Sequence, residues 1–241
     1  VGSMKNALVT GASGGIGRLL VKGLVKRGYF VIGVGRNEKA LEELKSLGNF
    51  DYIVADLSKR GAAKEIRDEL KQKEIEQLDL LINNAGFAVA KPLLEQSEEE
   101  LEGLFRVNII APVLLTKELL DMIPRDGKVV FVISAAAFVN TVDLPSYGAM
   151  KAALHYMVLN FERELKDKGI HVIRVYPKQV KTAFFTRNDL AYPKGSIEPK
   201  DVADAILRAI EKNRSEVFVP SYVKAVKYLP GWPVFDYKFK F

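Results

Sequence analysis

Seven short apolar runs, each separated from the next by a stretch of helical periodicity, constrain this chain more than any other feature. They are "NALVT" (6–10), "YFVIGV" (29–34), "YIVADL" (52–57), "LDLLIN" (78–83), "KVVFVIS" (128–134), "HVIRVY" (171–176) and "EVFVP" (216–220). Most are rich in Val and Ile without strict alternation, the pattern of strands covered on both faces in a parallel sheet. Amphipathic stretches at 16–27, 38–47 and 59–73 lie between them, and Ser97 followed by Glu100 marks a capping box that opens a helix over 98–107. The repeated strand–helix order predicts right-handed crossovers and an α/β fold: a doubly wound, seven-stranded, mostly parallel sheet with helices on both faces. No repeat, low-complexity tract or long linker interrupts it, so residues 4–241 read as one domain. Val1-Gly2-Ser3 reads as an expression scar before a start at Met4.

Composition removes several classes of function. With no cysteine there is no disulfide, zinc ribbon or thiol catalysis, and two histidines, His155 and His171, leave little material for a metal site; none is expected. The net charge of +6 is spread among acids and forms no concentrated stripe, so no nucleic-acid partner is expected. No apolar run reaches the ~18–20 residues of a membrane span. A soluble, cytoplasmic protein is the expectation.

The first strand runs into "TGASGGIG" (10–17) and then into a helix from Ile16. Glycines in such a turn let the backbone approach a pyrophosphate while the helix N-terminus supplies N–H groups and positive potential. The spacing of Gly11, Gly15 and Gly17 is not that of the general dinucleotide fingerprint, and a merely tight turn is the competing reading. No Lys-Ser/Thr follows, which argues against an NTPase loop. About 20 residues past the glycines, a dinucleotide fold that selects NAD carries a carboxylate for the ribose 2′-hydroxyl. Here "GVGRN" puts Gly35 and Arg36 in that region. An arginine there suits a 2′-phosphate, although a solvated loop arginine reads the same; NADP(H) is favoured over NAD(H).

Taken together the motifs resemble the single-domain branch of the short-chain dehydrogenase/reductase family, over roughly 5–220. The resemblance is carried by "TGASGGIG" (10–17), "ADL" (55–57), "NNAG" (83–86), "VN" (107–108), Ser134 and "YGAMK" (147–151), with Ser134 thirteen residues before Tyr147. It implies a Rossmann-like fold in which Gly11, Ser13, Gly14, Gly15, Ile16, Gly17, Arg36 and Asn37 bind the cofactor's phosphate and ribose end. It also implies that Asp56 and Leu57 flank the adenine, and that Asn83, Ala85 and Gly86 line the cleft. Asn108, Ser134, Tyr147 and Lys151 match the family's catalytic tetrad. Tyr147 would be the general acid/base, with its phenolate stabilised by Lys151, which also holds the nicotinamide ribose. Ser134 would hold the substrate oxygen and Asn108 a water-linked proton path to Lys151. A reduction or oxidation across a carbonyl/alcohol pair follows, with a homodimer or homotetramer built on helices 98–120 and 146–166. A 3-oxoacyl-carrier reductase and a cofactor-binding regulatory or scaffold protein are the alternatives. His155, one turn beyond Lys151, reads as packing.

The chain departs from the family pattern at "PKQVKT" (177–182), where Pro177, Val180 and Thr182 remain in place for the cofactor but Lys178 stands where glycine is usual. Lysine lacks glycine's backbone freedom, so Lys178 either narrows the pocket or disturbs nicotinamide placement, or turns its ammonium to the cleft and favours an acidic substrate. Residues 183–199 form the natural substrate lid, with Phe184 and Phe185 facing an apolar substrate part or packing the lid down. The tail at 221–241 interleaves aromatics with lysines and ends in "DYKFKF", which alternates like an edge strand. It is expected to pack on the protein's own surface or on a second subunit rather than to skim a membrane.

Overall fold

The computed structural model describes residues 4–228 and 236–238. Its main sheet has seven strands: β1 (Lys5–Thr10), β2 (Tyr29–Gly35), β3 (Phe50–Val54), β4 (Leu80–Asn83), β5 (Lys128–Val132), β7 (His171–Pro177) and β8 (Glu216–Val219). All neighbours pair in parallel, in the order β3-β2-β1-β4-β5-β7-β8. A short β6 (Asn140–Thr141) pairs in parallel with β9 (Asp236–Tyr237), away from this sheet. The edge strand expected in the tail is thus present at 236–237, while Trp232 and Lys240 lie outside the described residues.

Alternate side chains of each strand go to opposite faces, which is why the apolar runs need no polar side. Ala7, Val9, Val31, Leu80, Ile82, Val130, Ile173 and Val175 pack with Leu20, Val21 and Leu24 of α1 (Gly15–Val25), and with Val202, Ile206 and Ile210 of α8 (Pro199–Glu211). Leu8, Ile32, Leu81, Val129 and Phe131 face the other way. They meet Ile66 and Leu70 of α3 (Ala62–Gln72), Leu115 of α5 (Ala111–Glu118), and Leu154 and Val158 of α6 (Pro145–Asp167). The connections change face between β1 and β4, and an open α/β sheet leaves its ligand crevice at such a point, beyond the carboxyl ends of the strands.

Element ends differ from the sequence expectation where tertiary contacts intervene. The third strand stops at Val54 rather than running to 57, because Asp56 turns the chain: its Oδ1 accepts from the N–H and hydroxyl of Ser58 at 3.0 and 2.7 Å. The helix expected over 38–47 divides into α2 (Glu38–Glu42) and a 3₁₀ segment (Glu43–Leu47). The capping box is present: Glu100 N–H donates to Ser97 Oγ at 3.2 Å, and Ser97 N–H to Glu100 Oε2 at 2.9 Å, opening α4 (Glu98–Phe105). Instead of ending there, the helix runs through a π-helical stretch, Arg106–Ile110, into α5.

One glycine inside β2 is dictated by packing rather than conformation. A Cβ at Gly33 would lie 2.8 Å from the Phe50 ring and 2.9 Å from Ala12 Cβ. Gly33→Val is therefore expected to destabilise the fold by ~1–3 kcal/mol through overpacking. Urea unfolding checks this, and an unchanged midpoint would contradict it.

Candidate active site

The glycine turn sits at the crevice. Gly11 has φ +66°, and its amide plane lies so close to the next strand that a Cβ would be 3.1 Å from Ala85 Cα. Gly17 tucks under the same turn, where a Cβ would meet Gly11 O at 2.1 Å. Gly14 is exposed, stands before α1 without any side-chain cap, and no acid occupies the first turn. A helix start with unclaimed N–H groups, glycines in place of side chains and no competing carboxylate fits a pyrophosphate. The root of the lid closes on this turn, since a Cβ at Gly15 would lie 3.1 Å from Thr182 Cγ2. Ser13 borders Gly35, and Ile16 packs partly against the core beneath.

At the end of β2, Arg36 is exposed and enters no hydrogen bond or ion pair among the described residues. Asn37 caps α2, accepting the Ala40 N–H at 3.0 Å. Burial works to raise the Asp56 carboxyl, but the Ser58 hydrogen bonds, Arg36 and Lys59 together hold it below its ordinary value. Leu57 is half-buried against the core.

Two residues that the sequence reading passed over hold β1 and β4 together at the crevice. Thr10 Oγ1 accepts the N–H groups of both Asn84 and Ala85 at 3.0 Å, and Asn84 Nδ2 donates to Thr10 O at 3.0 Å. Asn84 was visible in "NNAG", and Thr10 in the residue before the first glycine. Asn83 itself turns inward and donates to Thr116 Oγ1 at 3.1 Å.

The structure brings Asn108, Ser134, Tyr147 and Lys151 to one place. Ser134 follows β5, and its Oγ accepts the Ala136 N–H at 3.1 Å. It is also the neighbour that pulls the Tyr147 phenol down. Lys151 is 3% exposed, its Nζ donates to Val132 O at 3.3 Å and stands 5.5 Å from the Tyr147 ring centroid. Asn108 is wholly buried within the π-helical stretch, an irregularity that often marks functional sites. Its Nδ2 donates to Phe87 O and Leu104 O at 3.0 and 3.1 Å, leaving Oδ1 buried with no partner. A Cβ at Gly86 would lie 2.9 Å from that Oδ1 and 3.4 Å from Lys151 Nζ, so the glycine keeps a small gap between two polar atoms.

The expected lowering of the tyrosine is not what the protein alone produces. Although Tyr147 is only half-buried as a residue, its phenolic oxygen is set deep, and burial pushes it up to about 12 against the weaker pull of Ser134. Burial likewise brings Lys151 down to about 8. Both shifts favour the neutral form, because desolvation outweighs attraction between the two groups.

Over the tyrosine lies the lid. The Phe184 ring stands edge-on to Tyr147, centroids 5.0 Å apart, while buried Phe185 packs edge-on to Phe184 and Tyr192. Thr182 caps α7 (Ala183–Thr186), and Asn188 Oδ1 accepts the Ala90 N–H at 3.0 Å, fastening the lid to the loop after β4. At the lid's base Val180 bridges to Ile197, and Pro177 ends β7. Lys178 has an ordinary backbone, since the positive-φ residues other than glycine are Glu74, Asp126, Asp189 and Asn213 among those described. Its place in the loop therefore demands no glycine. His155 packs as expected, its Nδ1 2.8 Å from Tyr176 Oη.

The sequence model of the short chain dehydrogenase family matches residues 5–192. The chain belongs to that family. Among its relatives, 2-dehydro-3-deoxy-D-gluconate 5-dehydrogenase of Pseudoalteromonas atlantica is 33% identical over 74% of this chain and 73% of its own length. The (S)-acetoin-forming diacetyl reductase of Staphylococcus epidermidis is 30% identical over 87% of this chain and 85% of its own. The solved structure of an alcohol dehydrogenase from the archaeon Thermococcus sibiricus, complexed with 5-hydroxy-NADP, superimposes with a TM-score of 0.78 at 26% identity. That superposition covers 90% of this chain and 96% of the other. No helix among the described residues is long and apolar enough to cross a membrane.

The burial of Lys151 has a measurable consequence for stability. Its folded value of about 8 lies below its ordinary 10.5, so between those values the unfolded chain holds more protons and stability rises with pH. Below that window the charged, buried form carries its full penalty. Lys151→Met removes this penalty, so the stability difference between variant and wild type should move in the wild type's favour as pH is raised from 8 to 10. Denaturant unfolding at several pH values measures the difference; a constant difference would contradict the assignment.

Proposed function

We propose that the chain is an NADP(H)-dependent oxidoreductase acting on a carbonyl/alcohol pair, with Tyr147 as the general acid/base. The observation that carries this reading is the convergence of Ser134, Tyr147, Lys151 and the unpartnered Asn108 Oδ1 beside the glycine turn, under a lid that touches the tyrosine. When bound, NADPH supplies the hydride that adds to the carbonyl carbon. Ser134 holds the carbonyl oxygen with its hydroxyl. Tyr147, kept protonated by burial across the neutral range, gives that oxygen its proton. Lys151 bonds the nicotinamide ribose and shares a proton path with water in the gap flanked by Asn108 Oδ1 and Gly86. Phe184 closes the site against solvent from above.

The remaining cofactor assignments follow the same frame. Gly11, Ser13, Gly14, Gly15, Ile16 and Gly17 cradle the pyrophosphate, Arg36 and Asn37 meet the 2′-phosphate end, and Asp56 and Leu57 border the adenine. Ala85, Gly86, Pro177, Val180 and Thr182 line the nicotinamide half, and Asn83, its side chain turned inward to Thr116, contributes through its backbone. Arg36, exposed and unpaired, is the residue that favours NADPH over NADH, in line with the NADP derivative named for the Thermococcus sibiricus neighbour. The named substrates of the two relatives, a keto-sugar acid and a diketone, lie within the carbonyl/alcohol class. Phe105, Leu114, Tyr156 and Met157 leave apolar surface on α4, α5 and α6, which suits the homo-oligomer of a cytoplasmic enzyme.

NADPH consumption against a panel of aldehydes, ketones and 3-oxoacyl esters tests the reading. Tyr147→Phe is expected to lower kcat by ~10²–10⁴ through loss of the general acid. A variant that turns over as fast as wild type would overturn the assignment. Arg36→Ala should cost ~10-fold or more in kcat/KM for NADPH, the worth of a charge-assisted contact, and little for NADH. Equal losses with both cofactors would show that Arg36 does not recognise the 2′-phosphate.

A further inference from the structure

Beside one end of the lid stands a lysine that pairs with no acid among the described residues. Lys178 follows β7 at the carboxyl edge of the sheet, and its N–H is fixed to Val219 O at 3.0 Å. Its Nζ donates to Tyr222 Oη at 3.0 Å and lies 3.4 Å from the position a Cβ on Gly195 would take. Lys181 pairs with Glu198 at 2.6 Å and Lys227 with Glu216 at 2.7 Å, whereas exposed Lys194, next to Gly195, also lacks an ion pair among the described residues. Lys178 forms no ion pair among the described residues, and its one side-chain hydrogen bond there goes to a hydroxyl.

That arrangement has donors to spare. An ammonium carries three N–H donors and no acceptor, and a tyrosine hydroxyl that accepts one of them still has its own O–H to give. Lys178 and Tyr222 therefore present several donors and a full positive charge at one point, with the Tyr222 ring centroid 5.6 Å from Nζ and no acid among the described residues paired to the ammonium. An anionic oxygen is the chemical complement, and charge-assisted bonds of this kind are stronger than neutral ones.

The lid ties this point to the reacting centre. One end of the lid lays Phe184 against Tyr147, and the other brings the Gly195 turn over Lys178. The one segment, residues 183–199, thus touches both Tyr147 and Lys178. Along that segment Phe184, Phe185 and Tyr192 pack edge-on to one another, centroids 5.2 and 6.5 Å apart, so its side chains between the two contacts are largely aromatic.

We propose that Lys178 and Tyr222 form a carboxylate-recognition point, and that the enzyme's substrates are oxo acids or the corresponding hydroxy acids. This rests on the reductase reading of the site, with Tyr147 at the carbonyl. It makes Lys178 a specificity-determining residue that takes no part in the hydride or proton transfer.

Two measurements test it. The first compares kcat/KM with NADPH for oxo acids of increasing ketone–carboxylate separation (2-oxobutanoate, acetoacetate, levulinate and 4-acetylbenzoate), each against its methyl ester. Wild type should prefer the acid by ~10-fold or more in at least one pair. Lys178→Met should bring that ratio close to one, Lys178→Arg should keep most of it, and Tyr222→Phe should reduce it by a smaller factor. The second measures binding of the same acids and esters by titration calorimetry to wild type and Lys178→Met without any nicotinamide nucleotide. An acid preference in wild type that disappears in Lys178→Met supports the carboxylate point even where no turnover occurs, in which case only the reductase reading fails. Equal binding of acid and ester by wild type, no binding of either in any pair, or a preference that survives in Lys178→Met overturns the proposal.

Discussion

The site depends on how β1 and β4 are held where the sheet changes the direction of its connections. On either side of that point the helices lie on opposite faces, so no helix covers the carboxyl ends of the two strands and the chain must close the gap itself. Thr10 does so with one hydroxyl that receives two backbone N–H groups, those of Asn84 and Ala85, while Asn84 returns a bond to the Thr10 carbonyl. This lacing draws the turn at Gly11 against Ala85 so closely that neither Gly11 nor Gly17 can carry a side chain. The crevice, the open start of α1 and the position of Gly86 next to Lys151 all follow from that one junction.

The second constraint is the cost of placing polar groups in the interior. Lys151 and Asn108 are buried on helices of the same sheet face, and neither is fully satisfied: Lys151 has one long bond to Val132 O and Asn108 has an idle Oδ1. Buried groups of this kind are usually paired, and each unsatisfied one costs stability. A fold that keeps them retains a desolvated tyrosine–lysine pair and a polar gap beside it, conditions under which proton transfer responds strongly to nearby charge. The π-helical stretch at Arg106–Ile110 belongs to the same arrangement, since it is the stretch that carries Asn108.

All seven strands of the main sheet were legible as apolar runs, and the doubly wound order followed from their alternation with helices. Their ends were not legible in the same way. The third strand ends early because Asp56 finds Ser58, a local side-chain bond that competes with the ladder. The four residues at Ser134, Tyr147, Lys151 and Asn108 could be named from motif spacing, yet nothing in the local sequence marked a π-helical turn. The pKa of Tyr147 could not be read from its spacing to Lys151, because burial is a property of the packed fold. Long-range partners escaped for the same reason: Phe184 on Tyr147, Asn188 on the loop after β4, and Tyr222, 44 residues beyond Lys178. The glycine-to-lysine departure at 178 was visible, but its harmless backbone and its unneutralised ammonium became apparent only with the lid in place.

Equilibrium binding of NADPH, followed by nicotinamide fluorescence, tests whether the crevice at the β1–β4 junction is a nicotinamide-nucleotide site without any knowledge of the substrate. Saturable binding of one NADPH per chain is expected, as is its loss when Gly17, whose Cβ would strike Gly11 O at 2.1 Å, is replaced by valine in a protein that circular dichroism shows to be folded. Absence of saturable binding to the wild-type protein, or undiminished binding to a folded Gly17→Val protein, would contradict it.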